Sequence, residues 1–298
     1  MTMAQILCIG DAMLDVIVKM QGQMYLGSDT VSQISTHGGG AAANTATWLA
    51  SSGHKVFYVC RIGDDAAGRV IANEFDTWNI EYKPELLKEH RTGIVVVLVD
   101  QNGERSMFPD RGANSGLSEL DLPDLSRFGA VFLSGYALFN PLSQDGVLRM
   151  VNQMREAHLE IFFNPGSVGV MSNLGVDACR ERCKLMDLLI MNQAEAEFLT
   201  GKSDVISALN ELSQDVETVV ITRNDQGAMG KSRGNEIINS PILPITAIDS
   251  TGAGDAFAAG FIGRWIESKD LESSLRAGNS LASGCVTTIG ARPSVNPK

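Results

Sequence analysis

Apolar and polar residues fall into alternating blocks along the chain, and these blocks predict strands and helices in turn. Residues 6–9 and 56–60 are short apolar runs, which are typical of buried strands. The first run is followed by Gly10 and the second by Arg61. The pattern further predicts strands at 131–134, 161–164, 188–191 and 218–222, and helices at 41–52, 66–78, 143–158, 176–184, 194–199, 205–213, 252–267 and 271–288. This alternation predicts an α/β fold, with a doubly wound, mainly parallel sheet flanked by helices. We expect residues 1–298 to form one domain.

Two stretches depart from this alternation and predict further β-structure. Residues 16–36 mix β-branched and polar residues and are interrupted by glycines. Residues 93–100 and 104–108 flank Asn102-Gly103, a dipeptide that favours the tight turn of a β-hairpin. A parallel sheet made of strand–helix units does not need these strands, so we expect them to lie outside it.

The composition excludes several classes of protein. The 298 residues are 44% hydrophobic and 20% charged, which excludes a disordered or fibrous chain. There are 24 lysines and arginines against 35 aspartates and glutamates, a formal net charge of −11. Nucleic-acid binding depends on clustered basic residues, so we expect no nucleic-acid partner.

Cysteine use and hydropathy predict a cytoplasmic protein. No apolar stretch approaches the roughly 20 residues of a membrane span, and the first residues lack the basic start of a signal peptide. There are five cysteines, an odd number that cannot all pair within the chain, and they are scattered along it. We therefore expect reduced thiols and no membrane partner.

The strongest local pattern is the sequence DSTGAGDAF at residues 249–257. Gly252, Ala253 and Gly254 are small, so an anion can approach their backbone at the start of a predicted helix, where amides are unpaired. Asp255 follows them directly and can take a proton from a hydroxyl group beside that anion site. The alternative is that Asp255 only stabilises the helix start.

A second glycine-rich pattern, HGGGAAAN at residues 37–44, also precedes a predicted helix. It predicts either a ligand lying on bare backbone beside Asn44 or simply a close-packed helix start.

Sequences of several well-known sites are absent from the chain. Gly201-Lys202-Ser203 lacks the earlier glycine of a P-loop, and no dinucleotide-binding fingerprint or nucleophile elbow occurs.

Five short motifs occur in a characteristic order. They are Gly39-Gly40-x-x-x-Asn44, Gly63-x-Asp65-x-x-Gly68, Asn192-x-x-Glu195, Asp249-Ser250-Thr251-Gly252-Ala253-Gly254-Asp255 and Gly290-Ala291-x-Pro293-Ser294. In this order they resemble the ribokinase-like (PfkB-type) carbohydrate kinases, and the resemblance extends over essentially the whole chain. It implies that the two departing stretches, 16–36 and 80–108, form a small β-sheet lid.

The resemblance also implies a role for each motif residue. Asp255 would be the catalytic base, with Gly252, Ala253 and Gly254 as the anion hole. The sugar would be held by Asp11, Asp15, Gly39, Gly40, Asn44, Arg105, Asn114 and Asn164. The nucleotide would contact Asn192, Glu195, Thr222, Asn224, Gly227 and Asn279, with Mg²⁺ reached by Glu195 through water. Potassium would lie in a loop made by Asp249, Thr251, Cys285, Thr288, Gly290 and Ser294. Two positions depart from the family pattern: Asn224 replaces a glycine, and Asn164 replaces an aspartate of many sugar-specific members.

The implied activity is transfer of a phosphoryl group from ATP to a hydroxymethyl group of a sugar such as ribose or fructose, with Mg²⁺ and K⁺. The lid implies a homodimer. A nucleoside kinase for adenosine or pseudouridine is the alternative within this family. Such an enzyme would stack the base on aromatic residues of the lid, and only Tyr25 and Phe108 are suitably placed in the sequence, which favours a sugar. Outside the kinases, the residues leave open a sugar-binding protein that lacks catalysis, or an oxidoreductase.

Overall fold

The computed structural model describes residues 5–83 and 86–294. Residues 84 and 85 of the predicted lid segment, and both ends of the predicted domain, lie outside the described residues. The strands are β1 Gln5–Ile9, β2 Met13–Met20, β3 Ser32–Gly39, β4 Val56–Val59, β5 Glu81–Tyr82, β6 Gly93–Val99, β7 Arg105–Asp110, β8 Phe128–Ser134, β9 Glu160–Asn164, β10 Leu188–Asn192, β11 Thr218–Thr222, β12 Ala228–Ser232 and β13 Ile238–Ser240. The helices are α1 Ala41–Ser51, α2 Ala66–Thr77, α3 Gly135–Leu138, α4 Gln144–Glu156, α5 Val168–Leu174, α6 Val176–Cys183, α7 Gln193–Thr200, α8 Val205–Asp215, α9 Ala253–Ser268 and α10 Leu271–Cys285.

The larger sheet confirms the predicted α/β architecture. Within the described ranges its strand order is β13-β12-β11-β10-β9-β8-β1-β4-β5, and all strands run in the same direction except β12, which is antiparallel to both of its neighbours. Ile6 and Cys8 of β1 belong to one apolar core, and Leu7 and Ile9 belong to another on the opposite face. Helices cover both faces of a doubly wound sheet, which explains why its central strands carry apolar residues on both faces.

A separate small sheet has the order β3-β2-β6-β7. It takes most of the two stretches that depart from the strand–helix alternation, with the hairpin turn at Asn102-Gly103 between β6 and β7. The start of the 80–108 segment differs from the expectation, because β5 pairs with β4 at the edge of the larger sheet. The sequence pattern predicted neither the short strands β12, whose sequence AMGKS has no apolar run, and β13, nor the short helices α3 and α5.

Polar residues collect where the strands of the larger sheet end. The chain leaves β1 at Gly10, β10 at Asn192 and β11 at Thr222, and α9 begins after Gly252. The carboxyl ends of parallel strands face the crevice in which ligands bind in open α/β sheets. The small sheet begins directly after β1, so it rises from this same edge. Among the helices that the structure describes, none is long and apolar enough to cross a membrane.

Candidate active site

The turn before α9 presents free backbone amides. Gly252 has a φ of 77°, and a Cβ there would lie 2.6 Å from the Cα of Ala291, so this position requires glycine. Among the described residues, the amides of Gly254 and Asp255 have no hydrogen-bond partner. A Cβ placed on Gly254 would meet no atom within 4 Å, so open space lies beside these amides. The turn therefore has the geometry of an anion site.

Asp255 lies in the first turn of α9 and faces α1. Its Oδ2 accepts a hydrogen bond of 2.9 Å from the Asn44 side-chain amide. Burial raises the pKa of Asp255 to about 7, although the Asn44 hydrogen bond and the positive charge of Arg292 act in the opposite direction. A carboxylate with this pKa, beside an anion site, can accept a proton near neutral pH.

Arg292 connects this carboxylate to the rest of the cleft. Its Nε donates to Asn44 Oδ1 at 2.9 Å, which fixes the orientation of the amide that faces Asp255. The same guanidinium donates to the Gly39 carbonyl at 3.0 Å and pairs with Glu74 of α2. Sequence reasoning missed Arg292, which occupies the unspecified position of the Gly290-Ala291-x-Pro293-Ser294 motif.

Asp15 lies on β2 against the adjacent strand β3. A Cβ on Gly39 would lie 2.1 Å from Asp15 Oδ1, so the carboxylate packs directly on the bare backbone of the glycine. Burial raises the pKa of Asp15 to about 6, and the charge of Glu74 adds to this rise, although the charge of Arg292 opposes it. In the described part of the chain the Asp15 carboxylate has no hydrogen-bond partner, so it is available to a ligand. Asp15 and Asp255 are near enough for the charge of Asp15 to raise the pKa of Asp255.

Besides Asn44, three further predicted sugar contacts in the crevice have protein partners. Asp11 forms a two-point ion pair with Arg111, at 2.6 and 2.5 Å. Asn114 is fully buried and bonds the amide and carbonyl of Ala12, at 3.1 and 2.9 Å. Asn164 bonds the Ile190 carbonyl at 3.0 Å and the Gly166 amide at 2.8 Å. These residues shape the crevice through protein contacts.

Asn192 and Glu195 form a capping box at the start of α7. The Glu195 carboxylate accepts from the amide and the side chain of Asn192 at 2.9 and 2.6 Å, and the Glu195 amide donates back to Asn192 Oδ1. Burial raises the pKa of Glu195 to about 7, and the negative charge of Asp255 contributes to this rise. The capping box therefore lies within electrostatic reach of the candidate base.

The other predicted nucleotide contacts lie at the end of β11, in the loop that follows it, and on α10. Asn224 has a φ of 51°, a left-handed conformation that asparagine adopts more readily than most residues, so it can replace the glycine of the family pattern. Gly227 has a φ of 80°, and a Cβ there would lie 2.2 Å from the Ser240 carbonyl. Asn279 of α10 donates to that same carbonyl at 2.8 Å. Thr222, at the end of β11, bonds the Met191 carbonyl at 3.4 Å.

The predicted potassium loop is held by Asp249. Its Oδ1 accepts from the amide and hydroxyl of Thr251 at 2.9 and 2.6 Å, and its Oδ2 accepts from the Gly290 amide at 3.0 Å. These bonds hold the pKa of Asp249 well below its usual range, although burial opposes them. Arg105 of the small sheet, predicted to contact the sugar, instead donates to Asp249 Oδ1 at 2.8 Å. The Cys285 thiol donates to the Thr251 carbonyl, and the Thr288 hydroxyl donates to the Cys285 carbonyl. Ser294 is the last described residue, and none of the described hydrogen bonds joins it to this loop.

Tyr136 is a second residue that sequence reasoning missed. It follows β8 in the short helix α3, and burial raises its pKa with contributions from the charges of Asp255, Glu195 and Asp11. Its phenol therefore lies in the same crevice as these carboxylates. The sequence offered one indication of it, because Gly135 and Tyr136 directly follow the predicted strand 131–134, at the edge where ligands bind.

Comparison with known proteins agrees with this geometry. The sequence profile of the pfkB family carbohydrate kinases matches residues 3–298. The ribokinase of Haemophilus influenzae is 30% identical over 272 residues, which cover 86% of this chain and 83% of that protein. The structure of adenosine kinase from Sinorhizobium meliloti superposes with a TM-score of 0.87 at 24% identity, over 99% of this chain and 97% of that one. The structure of Arabidopsis thaliana ribokinase complexed with ribose and ATP superposes with a TM-score of 0.83 at 25% identity, over 98% and 95% of the two chains. The chain therefore belongs to the pfkB family of carbohydrate kinases.

Proposed function

We propose that this protein transfers the γ-phosphoryl group of ATP to a hydroxymethyl group of a sugar of the ribose or fructose type. The observation that carries the proposal is the juxtaposition at the start of α9. Asp255, with a pKa raised to about 7, lies beside the unpaired amides of Gly254 and of its own backbone. A base and an anion site at one point are what transfer of a phosphoryl group to a hydroxyl requires.

Each group in the crevice has a step in this reaction. Asp15 accepts hydrogen bonds from sugar hydroxyls, and Gly39 and Gly40, which carry no side chain, let the backbone lie directly against the Asp15 carboxylate and the Asp11 carbonyl. Asp255 accepts the proton of the attacking hydroxyl, and Asn44 keeps its carboxylate aimed at that hydroxyl. The amides of Gly254 and Asp255, in the first turn of α9, stabilise the charge on the transferred group, whereas the Ala253 amide already donates to the Ser250 carbonyl. The loop from Thr222 to Gly227, with Asn279, forms the nucleotide side.

The residues present fit a magnesium ion that is held by the nucleotide. Among the described residues, no group of three histidine, cysteine, aspartate or glutamate side chains can enclose a metal. The Glu195 carboxylate, 2% exposed and shielded by Asn192, would act on such an ion through water. When bound with ATP, Mg²⁺ neutralises phosphate charge and orients the phosphates.

A potassium ion fits the Asp249 loop poorly. Asp249 Oδ1 already accepts three hydrogen bonds, two from Thr251 and one from Arg105, and Oδ2 accepts one from Gly290. The Cys285 carbonyl, another expected ligand, accepts the Thr288 amide and hydroxyl. We therefore derive no step through a monovalent cation.

A nucleoside acceptor is the alternative within the family, and the small sheet gives it little support. Phe108 pairs with Val96, whereas Asp15 pairs with the neighbouring Val95. Adjacent strand residues point to opposite faces, so Phe108 lies on the face away from Asp15 and the sugar. The other aromatic residue of the lid, Tyr25, lies in the loop between β2 and β3 and is 62% exposed. A sugar without a base fits this face better.

We also propose that the protein is cytoplasmic, since its five cysteines are free thiols, and that two copies pair through the outer face of the small sheet. Ile34 and Phe108 lie on that face and are 67% and 57% exposed. Sedimentation velocity tests the pairing. Ile34→Lys should give monomers, and Leu142→Lys, at an exposed leucine of the larger domain, should not change the mass. An unchanged mass for Ile34→Lys contradicts the pairing.

The kinase proposal is tested by ADP release from MgATP against a panel of sugars and nucleosides, followed by single-turnover kinetics of Asp255→Asn with the best acceptor. Loss of the base should lower the rate about 10²–10⁴-fold. Sugar affinity should remain close to that of the wild type. Asp145→Asn, which changes an exposed aspartate in the first turn of α4, is the matched control. No acceptor-dependent ADP release, or full activity of Asp255→Asn, contradicts the proposal.

A further inference from the structure

One ion pair joins the small sheet to the loop before α9. Arg105 is the first residue of β7 and directly follows the turn between β6 and β7. Its guanidinium donates to Asp249 Oδ1 at 2.8 Å, although the two residues are 144 positions apart in the sequence. The second nitrogen of the guanidinium contacts the Thr251 hydroxyl. The Arg105 side chain is 40% exposed and that of Asp249 only 11%, so the pair lies at the mouth of the crevice.

The partner of Arg105, Asp249, lies a few residues before the free amides in the chain. Asp249 is three residues before Gly252, and Thr251 directly precedes it. Hydrogen bonds from Thr251 and Gly290 hold the pKa of Asp249 low, so its carboxylate stays charged. A negative charge at this place opposes the binding of another anion by the turn. The loop therefore needs a positive charge, and within the described residues Arg105 is the cationic side chain paired with Asp249.

We propose that the Arg105 guanidinium is the resident counter-cation of the Asp249 loop and takes the place that the sequence motif predicts for potassium. This inference deepens the proposed kinase function and rests on it. Arg105 acts as a positioning residue: it neutralises Asp249 and holds the turn at Gly252 so that the amides of Gly254 and Asp255 point to the transferred group. Such an arrangement costs no reorganisation during the reaction.

The position of Arg105 on the small sheet couples sugar binding to this charge. Val95 pairs with Asp15 and Val99 pairs with Arg105, and these two valines are four positions apart on β6. Residues an even number of positions apart share a face of the strand, so Asp15 and Arg105 face the crevice together. A sugar held by Asp15 therefore keeps the small sheet over the crevice, and the same sheet delivers the guanidinium to Asp249.

An arginine suits this role better than a lysine. The planar guanidinium presents several donors in a fixed fork and bonds two acceptors at once, here the Asp249 carboxylate and the Thr251 hydroxyl. A lysine preserves the charge and loses the second fixed donor. Arg105→Lys should therefore be intermediate between the wild type and Arg105→Met.

The test compares kcat in K⁺ and in Na⁺ at constant ionic strength, with MgATP and sugar saturating. The wild type should turn over equally in the two salts. Arg105→Met should lose kcat about tenfold or more in Na⁺ and recover part of it in K⁺, because the vacated carboxylate can then take the metal ion. Arg91→Met, which removes an 85%-exposed arginine paired with Asp110 of the small sheet, is the control and should match the wild type in both salts.

Thermal unfolding without substrates gives a second readout. The melting temperature of Arg105→Met should rise when K⁺ replaces Na⁺, and that of the wild type should not. Stimulation of the wild type by K⁺, unchanged kcat of Arg105→Met, or a loss that K⁺ does not relieve overturns the inference. An inactive wild type contradicts the kinase proposal instead, and the melting temperatures then still report whether Arg105 and K⁺ compete for Asp249.

Discussion

At the scale of single residues, the candidate base depends on its neighbours as much as on its own carboxylate. Burial alone favours a protonated Asp255, and the amide of Asn44 and the charge of Arg292 pull in the other direction. Arg292 acts twice, because it both contributes charge and orients the Asn44 amide. The balance leaves the pKa of Asp255 at about 7, where small changes in its surroundings alter the fraction of active base.

The pH dependence of kcat follows from this balance. The active form has Asp255 deprotonated, so kcat should fall as the pH is lowered through about 7. Arg292→Met removes an attractive positive charge, and the acidic limb should move to higher pH by about one pH unit. Arg292→Lys should leave the limb nearer to that of the wild type because the charge remains.

The control is Arg264→Met, which removes an exposed arginine from the same helix α9. Profiles of kcat between about pH 5 and 9 make the comparison. An acidic limb that stays in place in Arg292→Met would show that Arg292 does not influence the base.

At the scale of elements, the pairing of β2 with β3 brings together the residues that we propose bind the sugar. Asp15 pairs with His37 and packs on Gly39, two residues further along β3. The glycines of the HGGGAAAN sequence thus serve two purposes. Gly39 leaves space for the carboxylate, and Gly40, with a φ of 96°, turns the chain from β3 into α1. Both interpretations of this sequence, close packing and bare backbone beside a ligand, describe part of the geometry.

Gly39→Ala tests the space beside Asp15. The new Cβ would coincide with the Asp15 carboxylate, so the aspartate must move. We expect the KM for the sugar to rise about tenfold or more, in the direction that Asp15→Asn also produces, since a hydrogen bond to a charged group contributes about 1.5–3 kcal/mol. The KM for ATP should remain within about twofold.

Gly169→Ala, at a glycine of α5 with no close neighbour except the Ser167 hydroxyl at 3.9 Å, is the control. Equal weakening of ATP and sugar by Gly39→Ala would show that Asp15 does not belong to the sugar side.

At the scale of the whole molecule, the crevice concentrates acidic groups at a cost in stability. Burial raises the pKa values of Asp15, Glu195 and Asp255 to about 6, about 7 and about 7. Between about pH 4 and 7 the folded chain therefore binds more protons than the unfolded chain, and its stability should fall as the pH rises through this window. The site is maintained by the large apolar core on both faces of the sheet.

Asp255→Asn should relieve part of this cost. At pH 8 the variant should melt about 3 °C or more above the wild type, and near pH 4, where the wild-type carboxyl is neutral, the difference should disappear. Calorimetry or circular dichroism at the two pH values measures this. Asp145→Asn should show no such dependence on pH. A variant less stable than the wild type at pH 8 would contradict the assignment of a raised pKa to Asp255.

The sequence by itself determined features that depend on neighbouring residues. The alternation of strands and helices, the hairpin at Asn102-Gly103 and the glycine turn before α9 all follow from local backbone preferences and hydropathy. These features were predicted within a few residues, and the glycine turn is the part to which we propose the transferred phosphoryl group binds.

Only the tertiary structure decided which distant side chains meet. Arg292 contacts Asn44 across 248 positions, Arg105 contacts Asp249 across 144, and Arg111 contacts Asp11 across 100. No local pattern distinguishes these arginines from others in the chain, because their partners are set by strand order and by the angle at which the small sheet rises. For the same reason, sequence reasoning assigned Asp11, Asn114 and Arg105 to the sugar, whereas the folded chain pairs each of them with a protein group.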